Sequence, residues 1–459
     1  MKKVSFLIAS ILLLSSSFAF SITDGNENDD VALALNRGVV VFDAGDEMYS
    51  IVFSSNIPAA GFVRYYFNGA YHTRFAHHDG QVRTTETIHA VRIPRYRLQM
   101  GRYTFGVAPI RTAPRWPQEG GTTDLIALTP EEEWIFSDNT YNFYGVVCPT
   151  NGDNDIVAFA ASDWHNNNNW VQALANIAWE TEGRPRPDII FMMGDSFSPS
   201  WSSAEMKNYI IYSGYLLTRG QIPAVYTRGN HELRGPGANY MSQRLGLNAL
   251  FWRTDFNGIA ITLFDNGTDW LDSNPFNGGL IQHYVYRREQ LQWLQRIGTP
   301  RDRDGNTMYH IALNHMPWLN RRYVSAPAPD TRWCRDLMVY VPISDAPHDP
   351  DARILCPMNA EWVATLYVQN AGLLVSAHTH RHSFGTPGEP VIQNAHATAF
   401  ATYPFNVIVT GGHTNAVTGR YRAGNLIGNL IMIKDGSLTI NAFCHENEWQ
   451  ETHSGRMRR

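Results

Sequence analysis

The sequence predicts an α/β protein whose main domain is preceded by a small all-β sandwich domain. Two patterns lead to this prediction. Short apolar bursts separated by turn residues run from about residue 38 to 110, and apolar strands alternate with helical periods from about residue 150. The chain has 459 residues, 44% of them hydrophobic, which is enough apolar material for a large core and two or three domains.

The N-terminus has the pattern of a signal peptide, predicted to occupy residues 1–20. Lys2 and Lys3 precede an apolar run at residues 6–14, and small residues follow around Ala19. Export to the periplasm or the medium is therefore expected, with an uncleaved membrane anchor as the alternative. Cleavage takes the net charge from −5 to about −7. No later run of about 18 uncharged apolar residues exists, so no transmembrane segment is expected in the mature chain.

Residues 32–130 are predicted to form an immunoglobulin-like or fibronectin-like β-sandwich. Strand-like bursts occur at residues 39–42, 49–53, 61–66 and 103–107, and residues 87–98 could add another strand. Helical periodicity is absent from this stretch.

Residues 150–459 are predicted to form the α/β domain. Strands are expected at 155–161, 188–193, 224–226, 309–313 and 372–376, and helices at 170–182, 204–218, 287–297 and 359–371. Residues 425–443 read as a hairpin that turns at Asp435-Gly436. The long stretch 316–357 has neither period, which is typical of a functional loop.

The chain contains four cysteines, Cys148, Cys334, Cys356 and Cys444. An even number in an exported chain predicts disulfides, and three pairings are open. Cys334 with Cys356 is favoured because both lie in the same proline-rich stretch. A thiolate zinc site is not expected, since the sequence has no C-x-x-C pair.

Five short polar motifs carry the candidate chemistry, and nearly all come directly after a predicted strand. They are Asp163-Trp164-His165, Gly194-Asp195, Gly229-Asn230-His231-Glu232, Asn314-His315 and His378-Thr379-His380. Open α/β sheets place ligands at the carboxyl ends of their strands. Two carboxylates, an amide oxygen and several imidazoles exceed the needs of one metal ion and suit two ions about 3.5–4 Å apart.

The order of these motifs resembles that of the calcineurin-like metallophosphoesterase superfamily, over about residues 150–420. The resemblance implies a four-layer β-sandwich flanked by helices. The upstream β-domain is also similar to the one that precedes the catalytic domain of purple acid phosphatases. Two departures from those phosphatases stand out: His165 replaces the glycine of Asp-x-Gly, and Ser198 replaces the tyrosine ligand. Ala377 also stands where the superfamily usually has glycine.

The resemblance implies two metal sites bridged by Asp195. One ion would take Asp163, His165, Asp195 and His380, and the other would take Asp195, Asn230, His315 and His378. His231 matches the catalytic histidine that donates a proton to the leaving group or contacts the phosphate. Glu232 would orient that imidazole or its loop, with a surface carboxylate as the equal alternative. Catalytic roles are therefore expected for His231, Asp195 and Asn230.

The implied function is hydrolysis of small-molecule phosphate monoesters by a hydroxide that two metal ions activate, the ions being divalent or mixed-valence Fe, Mn or Zn. Phosphodiesterase activity on the same metal core and a non-catalytic exported binding protein are the alternatives. Substrate contacts are expected from residues 266–279 and 316–357, and His283, Trp318, Arg321, Arg322 and His382 are weaker candidates.

Other classes of protein are not favoured. The near balance of 37 basic and 42 acidic residues argues against nucleic-acid binding. Neither a Gly-x-Ser-x-Gly elbow nor a phosphate-binding Gly-x4-Gly-Lys-Ser/Thr loop is present in the sequence. The sequence leaves the oligomeric state open.

Overall fold

The computed structural model describes residues 32–98, 101–113, 125–145, 155–197, 202–234, 237–267, 282–317, 331–334, 339–342, 361–392, 400–411, 426–444 and 450–458. Residues 34–459 belong to one compact unit. Among the described helices, none combines the length and apolarity needed to cross a bilayer. The predicted signal peptide lies outside the described residues, and so does Cys356 of the favoured Cys334–Cys356 disulfide.

The N-terminal region is built from strands, as predicted. They are β1 (Leu35–Asp43), β2 (Met48–Ser55), β3 (Ala60–Phe67), β4 (Ala70–Phe75), β5 (His77–His78), β6 (Gln81–Val82), β7 (Ile88–Pro94), β8 (Arg102–Ala108), β9 (Ile110–Ala113), β10 (Leu125–Leu128), β11 (Ile135–Phe136) and β12 (Tyr141–Asn142). One helical turn, α1 (Arg95–Leu98), follows β7.

Strands and helices alternate in the second part of the chain. In order they are β13 (Ile156–Ala161), α2 (Asn168–Glu180), β14 (Ile189–Met192), α3 (Ser203–Glu205), α4 (Tyr212–Thr218), β15 (Pro223–Tyr226), α5 (Met241–Leu245), β16 (Trp252–Phe256), β17 (Ile259–Leu263), α6 (His283–Ile297), β18 (Tyr309–Leu313), β19 (Thr331–Cys334), β20 (Val339–Pro342), α7 (residues 361–368), β21 (Ala371–Ser376), β22 (Ser383–Gly385), β23 (Pro390–Ile392), β24 (Phe400–Thr402), β25 (Asn406–Val409), β26 (Ile427–Lys434), β27 (Ser437–Cys444) and β28 (Gln450–Arg456). A π-helical segment, Met206–Ile211, joins α3 to α4.

Two large sheets face each other and form the centre of the molecule. One has nine strands in the order β28-β27-β26-β13-β14-β15-β1-β2-β7, and the other has six in the order β16-β17-β18-β21-β25-β22. The core between them includes Phe191, Ile261 and Val375, each fully buried. The outer faces carry α2, α4 and α5 on one side and α6 and α7 on the other. This is the predicted four-layer α/β fold.

The N-terminal strands are shared between two sheets. β1 pairs in parallel with β15, with Val41 opposite Pro223, so β1, β2 and β7 extend the nine-stranded sheet. Strands β3, β4, β8, β11 and β12 form a separate five-stranded sheet. The two sheets pack through aromatic side chains, including Phe53 and Phe105 with ring centroids 4.7 Å apart. The all-β region is thus joined to the α/β part by backbone hydrogen bonds, which no local pattern in the sequence reveals.

The stretch predicted as a long loop, 316–357, is partly strand. β19 and β20 pair as an antiparallel hairpin with Thr331 opposite Pro342. Cross-strand pairing supplies the regularity that the proline-rich sequence lacks. The C-terminal hairpin is as predicted, with Lys434 opposite Ser437 across the Asp435-Gly436 turn.

Candidate metal centre

The five motifs lie at the carboxyl ends of parallel strands in the two facing sheets. β13, β14 and β15 run parallel in one sheet, and β18 and β21 run parallel in the other. The motifs follow these five strands and therefore reach the same edge of the double sheet.

Several of the predicted ligands have a left-handed backbone conformation that residues other than glycine rarely adopt. Asp163, His165, Asp195, His378 and His380 have φ between 39° and 70°. Left-handed non-glycine residues cost free energy and concentrate at functional sites, where the surrounding structure holds them. Five of them in one set of loops indicate that the loops are shaped for the position of the side chains.

The first group of side chains contains Asp163, His165, Asp195 and His380. Each offers a ligand atom, and the four atoms lie within 4.8 Å of one another. The Nε2 atoms of His165 and His380 are 3.3 Å apart, with the two rings stacked at a centroid distance of 4.9 Å. His380 Nε2 lies 3.5 Å from Asp163 Oδ1.

The second group contains Asp195, His315 and His378, with Asn230 beside them. Asn230 Oδ1 lies 3.2 Å from His315 Nε2 and 3.0 Å from His378 Nδ1. Asp195 Oδ2 lies 3.4 Å from His315 Nε2. The structure therefore brings all seven predicted ligands together, with Asp195 common to both groups.

The spacing of these atoms fits two metal ions. Two donor atoms that are each about 2.0–2.1 Å from one tetrahedral or octahedral ion lie about 2.8–3.4 Å apart. The five distances given above run from 3.0 to 3.5 Å. In addition, Asp163 Oδ1 and His165 Nδ1 are buried without a hydrogen-bond partner. Buried polar atoms are rarely left unpaired, so these donors also fit a bound cation.

The charges of the site are coupled. Burial alone would lower the pKa of His315, but the adjacent Asp195 carboxylate raises it to about 10. Burial alone would raise the pKa of Asp195, but His315 and His231 hold it well below its usual range. Burial alone would also raise the pKa of Asp163, but the nearby His380 and His315 lower it. A cation that binds here must displace the proton of His315, because a metal ligand has to be deprotonated.

Partners outside the seven residues orient the ligands. His315 Nδ1 lies 2.6 Å from the carbonyl oxygen of Met193, and a proton donated there leaves Nε2 directed at the site. Ser162 Oγ donates to Asp163 Oδ2 at 2.6 Å, so Oδ1 is left for a cation. The Met193 contact could not be predicted from the sequence, because every residue type carries the same backbone carbonyl.

Glu232 is a fully buried clamp between two of the loops and not a surface carboxylate. Its Oε2 accepts from the backbone N–H groups of Asp195 at 3.0 Å and Gly229 at 2.8 Å, and its Oε1 accepts from that of Ser196 at 2.7 Å. His231 N–H, in turn, donates to Asp195 Oδ1 at 2.9 Å. Glu232 thus fixes the loop that carries Asn230 against the loop that carries Asp195.

His231 borders the first group and keeps part of its ring open to solvent, with 17% of its side chain exposed. Its ring centroid is 4.7 Å from that of His165, and its Nε2 is 3.7 Å from Asp195 Oδ2. Arg234 Nη1 lies 3.1 Å from the ring nitrogens of His231. Burial lowers the pKa of His231 to about 4, Asp195 opposes this shift and Arg234 adds to it. The imidazole is therefore neutral near pH 7, in contrast to the protonated acid that the proton-donor role requires.

A left-handed glycine permits the close packing around Asp163. Gly411 has φ of +77°, and a Cβ atom there would collide with Ser162 Oγ and with Asp163 Oδ2. It lies two residues after the end of β25, so a search for glycines after apolar strands would have found it. Arg234 and Gly411 are among the residues of this site that were not predicted from the sequence.

The weaker predicted substrate contacts are not assembled with the metal ligands as exposed groups. His283 and His382 are buried instead of solvated. The pKa of His283 is held well below its usual range by burial and by Arg228. Trp318, Arg321 and Arg322, like most of residues 266–279, lie outside the described residues.

The part of the chain that carries these ligands is similar to a known protein family. Residues 158–382 match the family model described as calcineurin-like phosphoesterase. No curated protein matches the chain significantly. The match begins within β13, ends just after β21 and includes all seven candidate ligands.

Solved structures resemble the chain more remotely. They include GAP50, the anchor in the inner membrane complex of Plasmodium, with 12% identity over 66% of this chain and 90% of that chain and a TM-score of 0.37. A single mutant of Vps29 from Entamoeba histolytica has 12% identity over 66% and 99%, with a TM-score of 0.28. A conserved uncharacterized protein of Streptococcus pneumoniae, described as a predicted phosphoesterase, has 9% identity over 66% and 98%, with a TM-score of 0.27. These TM-scores are too low to bear on fold or function, and it is the family match that identifies residues 158–382 of this chain as a calcineurin-like phosphoesterase domain.

Proposed function

We propose that the protein is a phosphomonoesterase that works with two divalent metal ions. The observation that carries the proposal is the set of ligand-to-ligand distances of 3.0–3.5 Å among side chains that follow five different strands. Hydrogen bonds between these side chains do not account for all of the short distances. In particular, the facing Nε2 atoms of His165 and His380 need an ion or a proton between them.

The distances between the ligand atoms indicate which ligands would bind each ion. Asp163, His165 and His380 would hold one ion, and Asn230, His315 and His378 the other, with Asp195 shared. Two such ions supply an activated water near neutral pH and neutralise the oxygens of a phosphate group. Because imidazole and carboxylate ligands accept Fe, Mn and Zn alike, the donor set does not select one metal.

His231 and Arg234 face the same space from the Gly229–Arg234 loop. A neutral His231 donates one ring N–H, which places a hydrogen bond on a phosphate or leaving-group oxygen. Arg234 adds a permanent positive charge that is half-buried beside that ring. Together they would position the phosphate over the ligands of the first group.

Charge favours a monoester over a diester. A phosphate monoester carries up to two negative charges and a diester one. The positive charges of two divalent cations and Arg234 exceed the negative charges of the three carboxylates of the site, Asp163, Asp195 and Glu232, so the more highly charged ester gains more from binding. Phosphodiesterase activity on the same core is the second candidate, since the metal ligands alone do not distinguish the two esters.

The test uses protein that has been stripped with a chelator and reloaded with Mn²⁺, Zn²⁺ or Fe²⁺. Turnover is measured on p-nitrophenyl phosphate and on bis(p-nitrophenyl) phosphate, with Asp195→Ala as the site variant. Asp79→Ala is the control, because Asp79 is 90% exposed. We expect metal-dependent turnover that favours the monoester, its loss in Asp195→Ala and its retention in the control. Preference for the diester would select the second candidate, and bound metal without turnover would select a non-catalytic binding protein.

Export belongs to the same proposal. It is supported by the pattern of residues 1–20. N-terminal sequencing of the protein from culture medium or periplasm should begin shortly after Ala19, and a chain that keeps Met1 in the cell fraction would contradict export.

A further inference from the structure

We propose that His382, Glu451 and His453 form a third divalent metal site, separate from the two groups described above. Each offers one ligand atom, and the three atoms lie within 4.8 Å of one another. The site shares no residue with the dinuclear groups, and it does not depend on the proposed phosphatase activity.

The strand β28 brings two of the ligands to one face. Along β28 every second residue is exposed, and Glu451, His453 and Gly455 form the partly buried set between them. Side chains at i and i+2 of a strand point to the same side, so Glu451 and His453 act as a pair. Glu451 Oε1 lies 3.5 Å from His453 Nε2.

The third ligand comes from the other sheet. His382 precedes β22 and is buried, with its ring centroid 5.7 Å from that of His453. The ring of Phe384 stacks on His453 at 4.6 Å with an interplanar angle of 28°. The His453 ring is thereby held in place toward His382.

One ring nitrogen of the cluster has no hydrogen-bond partner. His453 Nε2 is buried and makes no hydrogen bond, although a carboxylate oxygen is only 3.5 Å away. That distance is too long for a hydrogen bond but close to the separation of two ligands on one tetrahedral ion, about 3.3–3.4 Å. The His382 ring, which the backbone of Val409 contacts, offers the third ligand atom.

The chemistry of the donors indicates Zn²⁺ or a similar transition metal. Two imidazoles and one carboxylate make a three-ligand set that zinc accepts with water in the fourth position. His382 follows His380 by two residues, so an ion here would connect β28 to the loop that carries His378 and His380. The ion would then support that loop from behind while remaining outside the reacting groups.

The experiment counts bound Zn²⁺ per chain by mass spectrometry of the metal after equilibrium dialysis. We expect three ions in the native protein and two in His453→Ala. His78→Ala is the matched control, because His78 also lies beside a carboxylate, at 3.6 Å from Asp79, but belongs to no three-ligand group among the described residues. The control should keep three ions. Equal numbers in His453→Ala and the native protein would overturn the proposal.

Two further variants separate this site from the dinuclear one and from a folding defect. Glu451→Gln keeps the size of a side chain that is 33% exposed, so it should fold normally and still lose one ion. Asp195→Ala should reduce the dinuclear ions while the ion at His453 remains. If Asp195→Ala removes all bound zinc, the third site does not exist. If Glu451→Gln and His453→Ala both lose one ion yet keep full turnover, the third site stands whatever the substrate proves to be.

Discussion

Replacement of Glu232 by alanine is the sharpest test of how the site is held together. The variant removes a fully buried carboxylate that accepts hydrogen bonds from the backbone N–H groups of Asp195, Ser196 and Gly229. Alanine offers no acceptor, so these three backbone N–H groups would lose their hydrogen bonds to the side chain at position 232. The two loops that carry Asp195 and Asn230 would then lose their common anchor.

The magnitude follows from the three unpaired donors. A buried N–H group that loses its partner costs about 1–3 kcal/mol, so three of them cost at least about 3 kcal/mol if relaxation is modest. The free energy of unfolding of a domain is about 5–15 kcal/mol, so this loss is a large fraction of it. Metal affinity should fall as well, because the variant frees the backbone on both sides of the shared ligand.

Urea unfolding and zinc titration of the purified variant give both quantities. Glu389→Ala is the matched control, because Glu389 also accepts a backbone N–H, from Thr386 at 3.0 Å, but in an exposed loop. We expect a change below about 0.5 kcal/mol in that control. A loss below 1 kcal/mol in Glu232→Ala, with unchanged zinc affinity, would refute the clamp.

Three further predictions use the same protein. Arg234→Ala should lower kcat/KM on the monoester about 10- to 100-fold, since hydrogen bonds to charged groups contribute about 1.5–3 kcal/mol and 1.4 kcal/mol is tenfold; unchanged kcat/KM would remove Arg234 from the site. Gly411→Ala should weaken metal binding because its Cβ would displace Asp163, whereas Gly388→Ala, with φ of +89° and open space, should not; equal effects would point to backbone strain alone. Burial lowers the pKa of His310 to about 3, so below pH 6.5 the unfolded chain takes up a proton that the folded one refuses. The contribution of neutral His310 to the free energy of unfolding is therefore complete above pH 6.5 and falls by up to about 1.4 kcal/mol per pH unit below it. In the presence of a chelator, His310→Gln should flatten the pH dependence of urea unfolding between pH 6.5 and 4.5. An unchanged slope would contradict this prediction.

The local features of the fold could be predicted because they depend on neighbours in sequence. The apolar run before Asp195 predicts a buried strand, and β14 is fully buried along its length. Because parallel strands bring their carboxyl ends to one edge of a sheet, the motifs that come after the strands could be predicted to lie together. The hairpin at Asp435-Gly436 could also be predicted, because its two turn residues are adjacent in the sequence.

Features that depend on distant pairing could not be predicted. The pairing of Val41 with Pro223 joins the N-terminal strands to the main sheet across a separation that no periodicity reports. The buried position of Glu232 depends on three backbone groups, which carry no residue identity. His382 and His453 come from next to and within the edge strands β22 and β28 of different sheets, so their contact could not be predicted from the sequence either.

The most direct measurement is anomalous X-ray diffraction from crystals soaked in Mn²⁺. At the two ligand groups that share Asp195 we predict two strong peaks about 3.5–4 Å apart, one contacted by Asp163 and His165 and the other by Asn230 and His315, with Asp195 between them. Asp195→Ala crystals should show weakened or missing peaks at both positions. A single peak, or none among these side chains, would contradict a dinuclear centre and with it the proposed hydrolysis.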